Sequence, residues 1–501
     1  LPERRPGVVH LRPPSCWPCR MMADDRGGPM WHLPGLESAG ESGATAGGTA
    51  GDSPSPEWHQ TRTPTGLLVR TPLLSDRQAS SVSESVRTAA LEARAIRTHG
   101  DVLRTISVAA LRLADPSDSM GAEAELLLSR GMGWSPKAAR EALAGMSREW
   151  TEHALGELVE AEIGDPALLD GFVPDPTRDG RLRTAVGPPL VFQIHAGNVP
   201  GVPVTGAILA LLARSGVLAK TGSDEPGLLP LFARALAEAD PLLASCLAAT
   251  WWPGDESPPA FSRWGKDAGK VVVYGGDSTV RAVRQQIPPE VELIVYGPRV
   301  GLAVFLPDAP DAAADLLARD VCAYEQRGCV SPRIAYVVGS DPLALSDLVA
   351  AAMKDEAVRV VPPAVTETEA VALRTARAEC EFAGLEDGST RVSGPEDLSW
   401  TVLAHRDAGS DSEALPRAVW VYGVPSLESL EGLLQPFTGR IQSVGYAGRD
   451  GENELARLAS RLGVSRICAL GDMAWPPPDW RHEGRHRLLP LLTWTDWEPM
   501  S

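Results

Sequence analysis

Beyond Pro188 the chain keeps one rhythm, in which short apolar runs of strand length alternate with amphipathic helical stretches. The runs are 190–194, 217–219, 271–274 and 293–295. Apart from Gln193 each is apolar on both faces, which suits a strand covered by helices on either side, so the pattern specifies an open sheet of parallel strands. A second series repeats the rhythm at 301–305, 334–338, 418–422, 441–444 and 467–470, with helices from Pro342 and across Glu367–Ala383. A Gly/Ser/Asp-rich region over 384–416 interrupts it. Two series imply two open α/β domains. Ahead of them, Val86, Leu91, Ile96, Val102, Leu103, Ile106 and Leu111 fall at helical spacing, and further helical runs open near Met120 and Ser135. Ser135-Pro136 reads as a cap followed by proline in the first helical position.

Residues 1–78 differ in kind. They are dense in Pro, Gly, Ser and Thr, a composition that buries too little apolar surface to offset chain entropy, and a disordered extension is expected there. Its Cys16-Trp17-Pro18-Cys19 has the spacing of a redox or metal motif but lacks a second CxxC or a following strand–helix pattern. The expected division is therefore an extension over 1–78, a helical lead-in with the first α/β domain over 79–297, the second α/β domain over 298–475 and a C-terminal segment over 476–501.

Charge and cysteine usage exclude several function classes. A formal net charge of −18 over 501 residues argues against an electrostatic grip on nucleic acid or anionic membrane. The longest strongly apolar stretch, 207–213, ends at Arg214 and is far too short to span a bilayer. Seven scattered cysteines point to a reduced, cytoplasmic chain. Because the sequence opens on leucine, a start that lies upstream or is wrongly assigned is expected.

Four segments carry candidate chemistry. The run 190–194 leads into His195-Ala-Gly-Asn198-Val-Pro200, where an Asn amide can face an oxyanion or cap the next helix. The run 217–219 ends at Lys220, the crevice edge where α/β sheets hold nucleotides, or else a solvated strand end. The run 271–274 meets Gly275-Gly276-Asp277-Ser278-Thr279, which suits a phosphate approaching backbone N–H groups or an ordinary strand–helix turn with Asp277 as the cap. In the fourth, Leu317, Val321 and Tyr324 extend a helical pattern toward Gly328-Cys329, with Pro332 three residues on. A thiol leaving a helix at such a turn can serve as a nucleophile, whereas Cys322 reads as core. His195 reads as a structural histidine, and Glu325, His482 and Trp475 receive no role from local pattern.

Strand-Asn, strand-Lys, strand-Gly-Gly and Gly-Cys, in that order, resemble the aldehyde dehydrogenase superfamily. Within it the chain resembles the acyl-CoA reductases of the bacterial luminescence fatty-acid reductase complex, the LuxC family. The resemblance rests on HAGNVPGVP (195–203), YGGDSTVRAVR (274–284), YGPRVG (296–301), EQRGCVSP (325–332) and the stretch 463–498, and covers roughly 83–498. It implies an aldehyde dehydrogenase-like α/β fold, with a Rossmann-like cofactor domain, a catalytic domain and an N-terminal helical segment. It implies that Cys329 forms an acyl-thioester, with Asn198 and the Cys329 backbone N–H holding the oxyanion. Lys220 would meet the cofactor ribose, and Gly275, Gly276, Ser278 and Thr279 would lie along the pyrophosphate.

Two departures from the superfamily pattern bear on function. Ser223 stands where an acidic residue pairs with the ribose, which favours NADPH, against the pull of Asp224. Tyr296-Gly297-Pro298-Arg299 stands where a glutamate base is usual, which fits reduction over hydrolysis. The expected activity is NADPH-dependent reduction of a long-chain acyl-CoA or acyl-protein thioester to the aldehyde, with no metal. The expected partners are an acyl-protein synthetase subunit and further copies of the chain. The alternatives are aldehyde oxidation, acyl-phosphate reduction, or a non-catalytic acyl-carrying scaffold.

Overall fold

The structure, a computed structural model, describes residues 31–36, 57–63, 65–254, 256–410 and 413–500. Its first piece lies along a sheet edge, where His32 and Ala249 exchange backbone hydrogen bonds of 2.8 and 2.7 Å. An antiparallel hairpin follows, of β1 (Glu57–Arg62) and β2 (Leu68–Leu73). Both lie within the span 1–78 expected to be disordered, and that expectation is corrected for these residues. Leu33 and Val69 are wholly buried and Leu74 nearly so. A few apolar side chains that find partners on the body outweigh the polar average of the segment. Cys16 and Cys19 lie outside the described residues.

Five helices then build the lead-in: Asp76–Ile96, His99–Arg112, Ser119–Met132, Pro136–Ser147 and Glu152–Ile163. Ser75 and Thr98 close capping boxes on the first two, and Ser135 caps the fourth ahead of Pro136, as its sequence predicts. Two short strands, β3 (Val173–Pro174) and β4 (Leu182–Val186), pair antiparallel.

The first parallel sheet comprises β5 (Leu190–Ile194), β6 (Gly216–Lys220), β7 (Leu247–Thr250), β8 (Lys270–Tyr274) and β9 (Glu292–Tyr296), in the order β7-β6-β5-β8-β9. Every residue of β5 and β6 is buried, which is why both read as nearly continuous apolar runs, interrupted by Gln193 and ended by Lys220. The strand β7 escapes a sequence reading because Leu247-Ala-Ala-Thr is short and built from small residues. Strand order reverses on either side of β5, and a crevice opens at the C-terminal ends of β5 and β8, the position α/β sheets use for ligands.

Between Tyr296 and Val300 the chain leaves that sheet for a second one. It holds β10 (Val300–Phe305), β11 (Pro332–Val338), β12 (Thr390–Ser393), β13 (Thr401–His405), β14 (Ala418–Val424), β15 (Ile441–Ala447) and β16 (Arg466–Ala469). The order is β12-β13-β14-β11-β10-β15-β16, parallel except for β12. The strands β12 and β13 lie inside the Gly/Ser/Asp-rich region. Finally β17 (Thr493–Trp497) returns to pair with β4, making a three-stranded antiparallel sheet. No helix among the described residues is long and apolar enough to cross a membrane.

Candidate active site

The loop that carries Cys329 is built against local preference. Its helix, Ala313–Cys322, ends two residues before Tyr324, so Tyr324 does not continue the helical face its spacing predicts. Instead Tyr324, Glu325 and Gln326 all adopt left-handed backbone, at φ of 52°, 53° and 60°. None is glycine, and each such residue costs roughly 1–2 kcal/mol. A buried network offsets this. Glu325 accepts from Arg417 Nε at 2.6 Å and Nη2 at 2.7 Å, and the Gln326 amide donates to Pro332 O and Ala418 O while accepting from Ala418 N. Glu325, which sequence left without a role, is therefore a structural anchor whose carboxylate does not reach the thiol as a free base.

Beyond that anchor Cys329 faces an apolar cavity of about 120 Å³. Val199, Val202 and Leu209 line it from the first domain, Val330 from the cysteine loop, and Ala474 and Trp480 from the C-terminal segment. The thiol keeps some surface on the cavity, but burial pushes its pKa up to about 12, helped by the nearby Glu483 carboxylate. Its partner is His482, whose Nε2 lies 3.9 Å from Sγ. Burial, then Arg487 and Arg299, hold the His482 pKa down at about 3. Thiol and imidazole therefore both rest neutral.

His482 is locked by its neighbours. It stacks on Tyr296 (centroids 4.6 Å apart) and on Trp480 (4.9 Å); Tyr296 stacks on Tyr274 (4.7 Å), and Tyr274 on His195 (5.2 Å). With Tyr274 also 6.1 Å from His482, the five rings form one cluster that joins the ends of β5, β8 and β9 to the C-terminal segment. His195 accordingly has a packing role, with Nε2 on Gln193 Oε1 at 3.2 Å. The acids nearby are occupied: Glu483 pairs with Arg299 at 2.6 Å, and Glu149 with the buried Arg487 at 2.8 Å. Sequence reasoning missed His482, Tyr274, Trp480 and Arg487. The available signal was the density of Trp, Pro and His directly after the last strand of the second sheet.

Asn198 reaches the same loop by donating its amide to Arg327 O at 2.8 Å, two residues before Cys329. The turn that presents it packs backbone on backbone against the loop after β6, where a Cβ on Gly222 would overlap Gly197. Lys220, at the end of β6, is only 7% exposed, and its ammonium has no hydrogen bond or ion pair among the described residues. Burial lowers its pKa to about 8. Ser223 accepts from Trp251 Nε1 at 3.2 Å, and Asp224 pairs with Arg327 at 3.2 Å.

Gly275 and Gly276 lead into the helix Asp277–Gln286, whose cap is Gly276 and not Asp277, with no side chain covering its first N–H groups. A Cβ at Gly276 would meet nothing within 4 Å, and Ser278 and Thr279 are exposed. An uncapped helix start beside open space, together with an unpartnered buried cation, fits a phosphate-bearing ribose cofactor. Among the described residues no cluster of His, Cys, Asp and Glu could hold a metal.

Comparison with known proteins places this geometry. The profile of a family described as acyl-CoA reductase (LuxC) matches residues 94–494. The chain is similar to a long-chain acyl-protein thioester reductase of Aliivibrio fischeri, 26% identical over 328 residues, covering 64% of this chain and 66% of that protein. The corresponding protein of Photorhabdus luminescens is 23% identical over 75% of this chain and 77% of its own. Among solved structures, a mutant of Pseudomonas syringae aldehyde dehydrogenase C, in complex with NAD+ and octanal, superposes with a TM-score of 0.69 at 14% identity, covering 95% of this chain and 98% of that one. A Corynebacterium glutamicum benzaldehyde dehydrogenase gives 0.66 at 16%, covering 93% and 98%. The fold is that of the aldehyde dehydrogenases.

Proposed function

The chain belongs to the acyl-CoA reductase (LuxC) family, and we propose that it reduces a long-chain acyl thioester, carried by a protein or by coenzyme A, to the aldehyde. The observation that carries this reading is Cys329 at the mouth of an apolar cavity with every nearby carboxylate already paired. An acyl chain lies along Val199, Val202, Leu209 and Val330 while Cys329 attacks its carbonyl carbon. The carrier thiol leaves and an acyl-thioester remains on Cys329. Among the described residues no free carboxylate faces the thiol to activate water, so hydrolysis to the acid is disfavoured. Asn198 and the Cys329 backbone N–H stabilise the oxyanion.

A nicotinamide cofactor, when bound, supplies the hydride that reduces the thioester carbon. Lys220 would hold its ribose, and Gly275, Gly276, Ser278 and Thr279 its pyrophosphate. Ser223 in place of an acid leaves room for a 2′-phosphate and selects NADPH. Cys329 then leaves as the aldehyde departs.

The acyl-protein named in the relatives supports an acyl-protein synthetase as donor. The open edges of the β17-β4-β3 sheet, with Trp494 and Trp497 exposed, support a homo-oligomer. The described cysteines carry no disulfide, in keeping with the cytoplasm. The test is release of carrier thiol and consumption of NADPH with tetradecanoyl-CoA. Cys329→Ala should abolish both, and retained activity overturns the mechanism.

A further inference from the structure

We propose that His482 is a catalytic residue of this site: its Nε2 takes the Cys329 proton as sulfur attacks the acyl carbonyl and delivers that proton to the departing carrier thiolate. The inference rests on the acyl-thioester reading above and adds the group that moves the proton.

Geometry carries it. Nε2 stands 3.9 Å from Sγ, a hydrogen-bonding distance for sulfur, and among the described residues it is the one base in reach of the thiol. The imidazole packs against Tyr296 and Trp480, at interplanar angles of 12° and 28°, and meets the sulfur through its Nε2 edge. The other nearby bases are committed elsewhere, Glu325 to Arg417, Glu483 to Arg299 and Glu149 to Arg487.

The chemistry follows from burial. A low-pKa thiolate would need a cation beside it, yet Cys329 sits high and His482 low, so the resting pair is S–H···N, with neither group charged. An uncharged thiol is a poor nucleophile, and it must lose its proton during attack. The step balances: the S–C bond to Cys329 forms, the thiol proton moves to Nε2, the carrier S–C bond breaks, and the leaving sulfur takes the proton from Nε2. His482 returns neutral. In the reductive half, Cys329 leaves as thiolate and regains a proton from solvent through the same nitrogen. The ring cluster then has a purpose, since among the described residues no carboxylate accepts a hydrogen bond from the imidazole to orient it.

The test compares wild type, His482→Gln and His482→Ala in two assays. Acylation by tetradecanoyl-CoA without cofactor should slow by about 10²–10⁴-fold in both variants. Alkylation of Cys329 by iodoacetamide, read by mass on its peptide, should slow at least about tenfold. Glutamine keeps a planar group in the stack, so it carries the test if alanine misfolds. Wild-type acylation should also show a solvent deuterium isotope effect of about 2 or more, which needs no variant. Acylation and alkylation within about threefold of wild type in folded His482→Gln, or an isotope effect near 1, overturn the proposal. If wild type is never acylated, the acyl-thioester reading fails, and the alkylation ratio still decides whether His482 is the base for the thiol.

Discussion

Glu325 grips Arg417 with both carboxylate oxygens, at 2.6 and 2.7 Å, and the two residues hold left-handed backbone at φ of 53° and 43°. Each is strained alone, and each is buried with its partner, at 3% and 1% exposure. Burial favours the neutral carboxyl and pushes the Glu325 pKa up, while the guanidinium opposes it. Arg417→Met therefore strands a buried acid. A loss of about 3–5 kcal/mol is expected, read from the urea midpoint. Glu325→Gln combined with Arg417→Met should recover part of it, because no uncompensated charge remains. Acylation should slow in both, since this pair closes the turn that presents Cys329. A double variant no more stable than the single one would show that the pair does not act through charge.

Asn198 supplies the second prediction. One of its amide protons serves Arg327 O, and the other is the proposed oxyanion donor. Asn198→Ala should lower kcat by about 10²–10³-fold, as loss of other oxyanion donors does. Acyl-CoA binding should change little, because the ground-state carbonyl leans less on that donor. Single-turnover acylation beside a thermal melt separates chemistry from support of the loop. A normal acylation rate with a lowered melting point would make Asn198 structural.

The proposed cofactor choice turns on the loop after β6. Ser223→Glu introduces a carboxylate next to Asp224, whose own charge is paired with Arg327. Relative kcat/KM should shift toward NADH by about 1–2 kcal/mol, the scale of one like charge near a 2′-phosphate in a partly solvated site. An unchanged NADPH/NADH ratio would place the ribose elsewhere.

The sequence shows the framework more readily than the site. Strands buried on both faces, such as β5 and β6, announce themselves because nearly every position is apolar, Gln193 and the terminal Lys220 excepted. Cys329, Asn198 and Lys220 stand out because each terminates or interrupts such a regular element. His482 does not, because 153 residues separate it from Cys329 and its irregular segment has no period to read. The three left-handed residues 324–326 were equally hidden, since Tyr, Glu and Gln all prefer helix or strand. The buried Glu325–Arg417 pair, with the Gln326 amide bonds to Pro332 and Ala418, reverses that preference.

Glu225 gives a prediction about stability and pH. It is wholly enclosed beside the proposed cofactor loop, with Oε1 accepting from Gly227 N and Leu228 N at 2.9 and 2.6 Å. Burial raises its pKa from 4.5 to about 7, against the pull of those two N–H groups. A group whose folded pKa lies above its unfolded value gives its full contribution below the unfolded value. That contribution is lost as pH rises through the folded one, here between about 4.5 and 7. Above pH 7 the wild type therefore carries a buried carboxylate at a cost on the order of 3 kcal/mol. Glu225→Gln keeps the accepting oxygen and removes the charge. The variant should melt higher than wild type at pH 8, and the gap should close as pH falls toward 4.5. Melts across that range decide the matter. A gap that is constant with pH would mean that Glu225 titrates alike in the folded and unfolded chains, and that its hydrogen bonds to Gly227 and Leu228 fully compensate its burial.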